Sequence, residues 1–210
     1  MSDVIAIRDP WGKATTGKLA MWLFIIMDGL SFGGLLIGGA ALRLSMSSWP
    51  EPGAILDINL TAFNTFLLIC TSFTMVMALN AIQKGDQKGL KTYLAMTMAG
   101  GIAFLGIQVY EYSHFIIGNE TLTQHLAEAG FVGATNFVPS TGTYAAVFYA
   151  TTAFHGLHVL SGVVYIGCIL FAANKYNYTS ENSDKVEILG LFWHFIDLIW
   201  IFVFTVIYLI

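Results

Sequence analysis

The chain has 210 residues, 56% of them hydrophobic and only 10% charged, with a formal net charge of −4. A soluble domain carries about a quarter charged residues, so the composition excludes an ordinary water-soluble globule, and no nucleic-acid partner is expected. The predicted fold class is all-α: a polytopic membrane protein built as one bundle of five transmembrane helices over residues 18–210, after an N-terminal arm at 1–17.

The arm is polar or mixed and carries Arg8 and Lys13. The first apolar run, 19–42, is too long for a cleaved export signal and reads as a span. It contains Asp28 and two small-xxx-small pairs, Gly29/Gly33 and Gly34/Gly38, which let another helix come close. Trp49-Pro50-Glu51-Pro52 then forms a rigid interfacial segment. The second span, 58–83, ends in the tight polar turn Lys84-Gly85-Asp86-Gln87-Lys88-Gly89. The third, 92–117, carries Gly100, Gly101 and Gly106, with Glu111 and His114 near its outer end. In the loop 118–143, Leu122, Leu126, Ala129 and Phe131 mark a short surface helix. The fourth span, 144–173, holds His155 and His158, and the fifth, 188–210, holds His194 and Asp197. Cys70 and Cys168 fall inside spans, read as small packing residues, and are not expected to form a disulfide.

Lys and Arg set the orientation. Arg8, Lys13, Lys18, Lys84, Lys88, Lys91, Lys175 and Lys185 fall on one side and only Arg43 on the other. The expected topology therefore has the N-terminus in the cytoplasm and the C-terminus outside.

Asp28, Glu111 and Asp197 lie in spans that contain no Lys or Arg. A charge at such depth is costly, so these acids should face protein and mark function. At 1.5 Å per residue, Asp28 and Asp197 lie roughly 15 Å from the inner edge, and His155, His158 and His194 fall at comparable depth. Glu111 and His114 sit in the outer third. Glu111/His114, His155/His158 and His194/Asp197 are i,i+3 pairs, each on one helix face. A carboxylate there either keeps its proton or pairs with a histidine that carries one. Three readings follow: polar glue between helices, a proton-linked network, or a metal site. The di-iron arrangement needs four carboxylates and two histidines converging, whereas only one Glu-x-x-His is present, at a different depth from the rest. A bis-histidine haem on His158 and His194 is a further metal reading. The residues favour no catalytic and no metal ligands in this chain.

Several runs resemble subunit III of the haem-copper terminal oxidases in its five-helix bacterial form. They are Phe154-His155-Gly156-Leu157-His158-Val159 with Ser161-Gly162, Trp193-His194-Phe195-Ile196-Asp197 with Trp200, and Gln108-Val109-Tyr110-Glu111-Tyr112. Lys84-Gly85-Asp86 and Asn64-Thr65 resemble shorter family signatures, and Asp28 matches the family's buried acid. The resemblance runs from Lys18 to the end of the sequence shown.

The resemblance implies a non-catalytic subunit that leans on subunit I, alongside subunit II and other oxidase subunits. In that role it sustains proton uptake, protects the enzyme during turnover and retains phospholipid in the bacterial inner membrane. Haems and copper would reside in partner subunits, with none in this chain. Two helices of the longer family members are absent. Phe154 leans toward the cytochrome c branch, while Phe202-Val203-Phe204-Thr205-Val206 leans toward the quinol branch. Cytochrome c oxidase is the chosen reading, with quinol oxidase as its alternative. A stand-alone membrane metalloenzyme and a proton-coupled transporter are the rivals of other classes.

Overall fold

The computed structural model describes residues 15–175, 178 and 183–210. Arg8 and Lys13, and with them most of the predicted arm, lie outside the described residues. Five helices are long and apolar enough to cross a bilayer: α1 (Thr16–Ser45), α3 (Ile58–Gln83), α4 (Gln87–Ile117), α6 (Thr143–Lys175) and α7 (Asp184–Val203), the last continuing to Leu209 as a π-helical turn. Two short helices, α2 (Pro52–Ile55) and α5 (Glu120–Glu128), follow the C-terminal ends of α1 and α4 at one end of the bundle. The chain is an all-α integral membrane protein.

The helix ends follow from local chemistry. Asp57 caps α3 by accepting from the Asn59 and Leu60 amides, both at 3.1 Å, and Asp86 caps α4 by accepting from Gly89 N at 2.9 Å. Gly85 (φ +75°) and Gly118 (φ +72°) supply left-handed turns that side chains rarely adopt. The expected surface helix is α5, capped by Asn119, with Leu122 and Leu126 buried; Ala129 and Phe131 follow its end. Several spans exceed their predicted limits. α1 starts at Thr16, inside the predicted arm, and α4 starts at Gln87 rather than 92. Lysine stems lie along apolar surface while their heads reach water, so a helix continues past the last apolar residue.

α7 is the most enclosed span and α1 the least. α7 packs against α1, α3 and α6, while α3 packs along α4 and α4 along α6. Trp193 fixes this arrangement. A Cβ at Gly101 would lie 2.7 Å from its Cη2, and one at Gly162 would lie 2.9 Å from its Cζ3. Its indole N–H donates to Thr71 Oγ1 at 2.9 Å, and Trp200 does the same to Thr65 Oγ1 at 2.9 Å. At the end of the bundle where α1 starts, Lys18 Nζ ties α1 to α7, 2.9 Å from Asp184 Oδ1 and 2.6 Å from Glu187 Oε2. At the opposite end, Arg43 donates to the Ile210 carbonyl.

Two packing expectations change. Cys70 and Cys168 are exposed on the bundle surface, not packed between helices. Among the described residues, no atom lies within 4 Å of a Cβ built at Gly33, Gly34 or Gly38, while Gly29 meets only Phe195, at 3.7 Å. The close approach of α1 occurs instead at Gly39, where a Cβ would lie 2.8 Å from Val147. α1 bends its Asp28, Phe32 and Gly39 side toward the bundle, which turns Gly34 and Gly38 outward.

Candidate functional site

The mid-depth acids and histidines do not form one belt. They separate into sites carried by different helix pairs, because α7 stands between the α1–α6 side and the α3 side.

The first site joins α1 to α6. His158 Nε2 stands 3.2 Å from Asp28 Oδ2, and His158 Nδ1 lies 2.8 Å from the Phe154 carbonyl, one turn earlier on α6. A carbonyl only accepts, so Nδ1 carries the hydrogen and the neutral ring would present a bare lone pair at Nε2. Two lone-pair atoms at that separation repel. The contact therefore places a proton either on the Asp28 carboxyl or on the imidazole. Phe32 and Phe154 flank the ring, with centroids 5.3 and 4.7 Å away.

The second site joins α3 to α7. Ser72 Oγ lies 2.8 Å from His194 Nδ1 and donates to Asp197 Oδ2. A hydroxyl has one hydrogen: with Asp197 ionised it goes to Asp197 and His194 Nδ1 donates to Ser72, and with Asp197 protonated the chain reverses and Nδ1 accepts. Asp197 is buried, its Oδ1 has no hydrogen-bond partner, and His194 is half-buried.

His155 belongs to neither site. The i,i+3 spacing puts it about 60° around the helix from His158, far enough to turn it into the core. It is fully buried, with Trp200 at 4.7 Å and Phe104 at 5.6 Å between ring centroids, and neither ring nitrogen has a hydrogen-bond partner.

The third site lies near the C-terminal end of α4. Tyr208 OH donates to Glu111 Oε2 at 3.2 Å. His114 does not join Glu111: it is exposed, and its Nε2 lies 2.9 Å from Asn119 Nδ2, whose amide donates. Beside Glu111 a cavity of about 330 Å³ opens among Asp57, Tyr110, His114, Asn119 and His125. One turn inward, Gln108 Nε2 donates to the Thr152 carbonyl at 2.9 Å, and the Tyr112 hydroxyl lies 2.6 Å from Thr152 Oγ1.

Sequence reasoning missed Ser72, Thr71, Thr152 and Tyr208, and singled out Thr65 only as part of a signature run. A hydroxyl inside a span can bond its own helix backbone, as Thr65 and Thr152 also do at 2.8 and 2.6 Å, so its presence alone does not signal a neighbour. Among the described residues, no three His, Cys, Asp or Glu side chains converge as a metal site would require.

The sequence matches the family model described as Cytochrome c oxidase subunit III over residues 14–210. It is 33% identical over 192 residues to cytochrome c oxidase subunit 3 of Thermostichus vulcanus, covering 91% of this chain and 86% of the relative. Cytochrome c oxidase subunit 3 of Alkalihalophilus pseudofirmus is 31% identical over 191 residues, covering 91% and 85%. Cytochrome bo(3) ubiquinol oxidase subunit 3 of Pseudomonas putida is 30% identical over 191 residues, covering 91% and 84%. The match thus runs through all five spans and the three polar sites they carry, and the chain belongs to the cytochrome c oxidase subunit III family.

Proposed function

We propose that this chain is a non-catalytic accessory subunit of a proton-pumping haem-copper oxidase, seated against catalytic subunit I. It supports proton uptake, stability during turnover and lipid retention there, while haems and copper belong to partner subunits. The chain lies in a bacterial inner membrane with its N-terminus cytoplasmic. The starts of α1, α4 and α7 and the ends of α3 and α6 share one end of the bundle, and Lys18, Lys84, Lys88, Lys91, Lys175 and Lys185 lie at that end.

The observation that carries this reading is the way the buried acids are satisfied. Asp28 meets His158, Asp197 meets Ser72, and Glu111 meets Tyr208, each across a different helix pair. Such contacts tie one span to another across the bundle.

The test is to purify the oxidase through a tag on this chain. Haem-bearing subunits should copurify. Asp28→Ala should leave haem content intact while shortening the enzyme's active lifetime or slowing proton uptake. Loss of haem in that variant would assign the chain to assembly instead. Relatives include both cytochrome c and quinol oxidase subunits. We choose cytochrome c as the electron donor, and oxygen uptake with reduced cytochrome c against quinol distinguishes the two.

A further inference from the structure

α7 packs on α1 along one side and on α3 along another, but α1 and α3 share no extended contact. Between them α7 presents an open strip: Leu198, Ile201 and Phe202 are exposed, and Leu191, His194 and Phe195 are partly exposed. These positions recur every three or four residues and so form one face. On the α3 side the strip is bordered by Ser72, bonded to His194, and by exposed Ile69 and Val76. On the α1 side it is bordered by Gly29, in contact with Phe195, with Gly33 one turn further along the same face. The result is a groove with α7 as its floor and a low glycine wall.

One feature separates this groove from ordinary lipid-facing surface. His194 Nε2 has no hydrogen-bond partner among the described residues and is not enclosed. It lies near mid-membrane, where it is a polar atom left unmet on an otherwise apolar strip. An acyl chain has no donor to offer, and an unmet polar group in hydrocarbon is costly. Close approach over Gly29 and Gly33 suits a helix backbone.

We propose that this groove seats a transmembrane helix of another oxidase subunit, which hydrogen-bonds His194 Nε2 through a hydroxyl or carboxamide. The inference rests on the accessory-subunit reading and adds to it the face, the depth and the chemistry of the contact.

The test uses the complex purified from native membrane through a tag on this chain. A photoreactive p-benzoylphenylalanine at Leu198 should form an adduct with a transmembrane segment of another oxidase polypeptide. Adducts with lipid only, or with a second copy of this chain, would overturn the proposal. Side-chain geometry gives a second readout. Glutamine places an amide near the position of Nε2, and asparagine near that of Nδ1. His194→Asn should raise detergent release of this chain about three- to eighteen-fold, the range of a hydrogen bond between membrane helices, whereas His194→Gln should stay within about twofold. Equal release by both variants would overturn it, as would release that merely follows a lower melting temperature of the isolated chain. If no haem-bearing subunit copurifies with the wild-type chain, the accessory-subunit reading itself fails. Copurification with only lipid adducts at Leu198 sinks the groove assignment alone.

Discussion

Tyr208 reaches Glu111 because the last turn of the fifth span is wider than an α-helix. Phe204–Leu209 is π-helical, and Ile210 N bonds back to the Thr205 carbonyl at 3.1 Å, five residues earlier. Such widened turns shift a side chain around the axis and cluster at functional positions. Here the shift delivers a phenol hydroxyl to a carboxylate that forms no salt bridge among the described residues. Tyr208→Phe should destabilise the purified chain by about 0.6–1.7 kcal/mol, the range for hydrogen bonds between membrane helices. A double-mutant cycle with Glu111→Gln should show coupling; strictly additive losses in thermal denaturation would mean that the two side chains do not interact.

Asp28 Oδ2 and His158 Nε2 stand 3.2 Å apart, a separation at which one proton is expected between them. Asp28→Asn should therefore erase one infrared signature of the wild-type protein, either a protonated carboxyl stretch or an imidazolium band. Asp28→Ala and His158→Phe should each cost about 1 kcal/mol, with the double variant costing less than their sum. Spectra unchanged by Asp28→Asn would place the proton elsewhere.

The glycines divide into two classes with opposite expectations. Gly101→Ala and Gly162→Ala push a methyl into Trp193 and should each destabilise by about 1–3 kcal/mol, as overpacking does. Gly34→Ala and Gly38→Ala meet nothing within 4 Å and should change the isolated chain by less than about 0.5 kcal/mol. Calorimetry of the four variants in one detergent decides it, and an equal effect in both classes would contradict the packing described above.

Cys70 and Cys168 face outward on different helices. Both should react with a membrane-permeant maleimide in the isolated chain, and oxidation should not join them within one molecule. A thiol that reacts only after denaturation would place that cysteine inside the bundle.

Much of the fold was legible because span length and lysine flanks are composition-level signals. The five spans, the capped turn at Asp86 and the surface helix over Leu122 and Leu126 all needed only local information. The polar sites were legible as residues but not as pairs. Axial depth can be counted along a helix, and it placed Asp28, His158, His194 and Asp197 together. Azimuth between helices cannot be counted, and it assigned Asp28 to His158 while sending Asp197 to Ser72. The same angular offset turned His155 into an aromatic cage and left His114 outside. The glycine stripe on α1 was visible in the sequence, but which side of α1 meets the bundle depends on α6 and α7, far along the chain.

The placement of α7 sets order of synthesis against order of packing. The span around which α1, α3 and α6 gather is synthesised after the other four described spans. Until it arrives, the Thr65 and Thr71 hydroxyls lack their indole donors and Gly101 and Gly162 face an empty notch. The α3–α4 hairpin can form early, but α1 has nothing to anchor its lysine. The nascent bundle must therefore wait, loosely gathered, for its own axle.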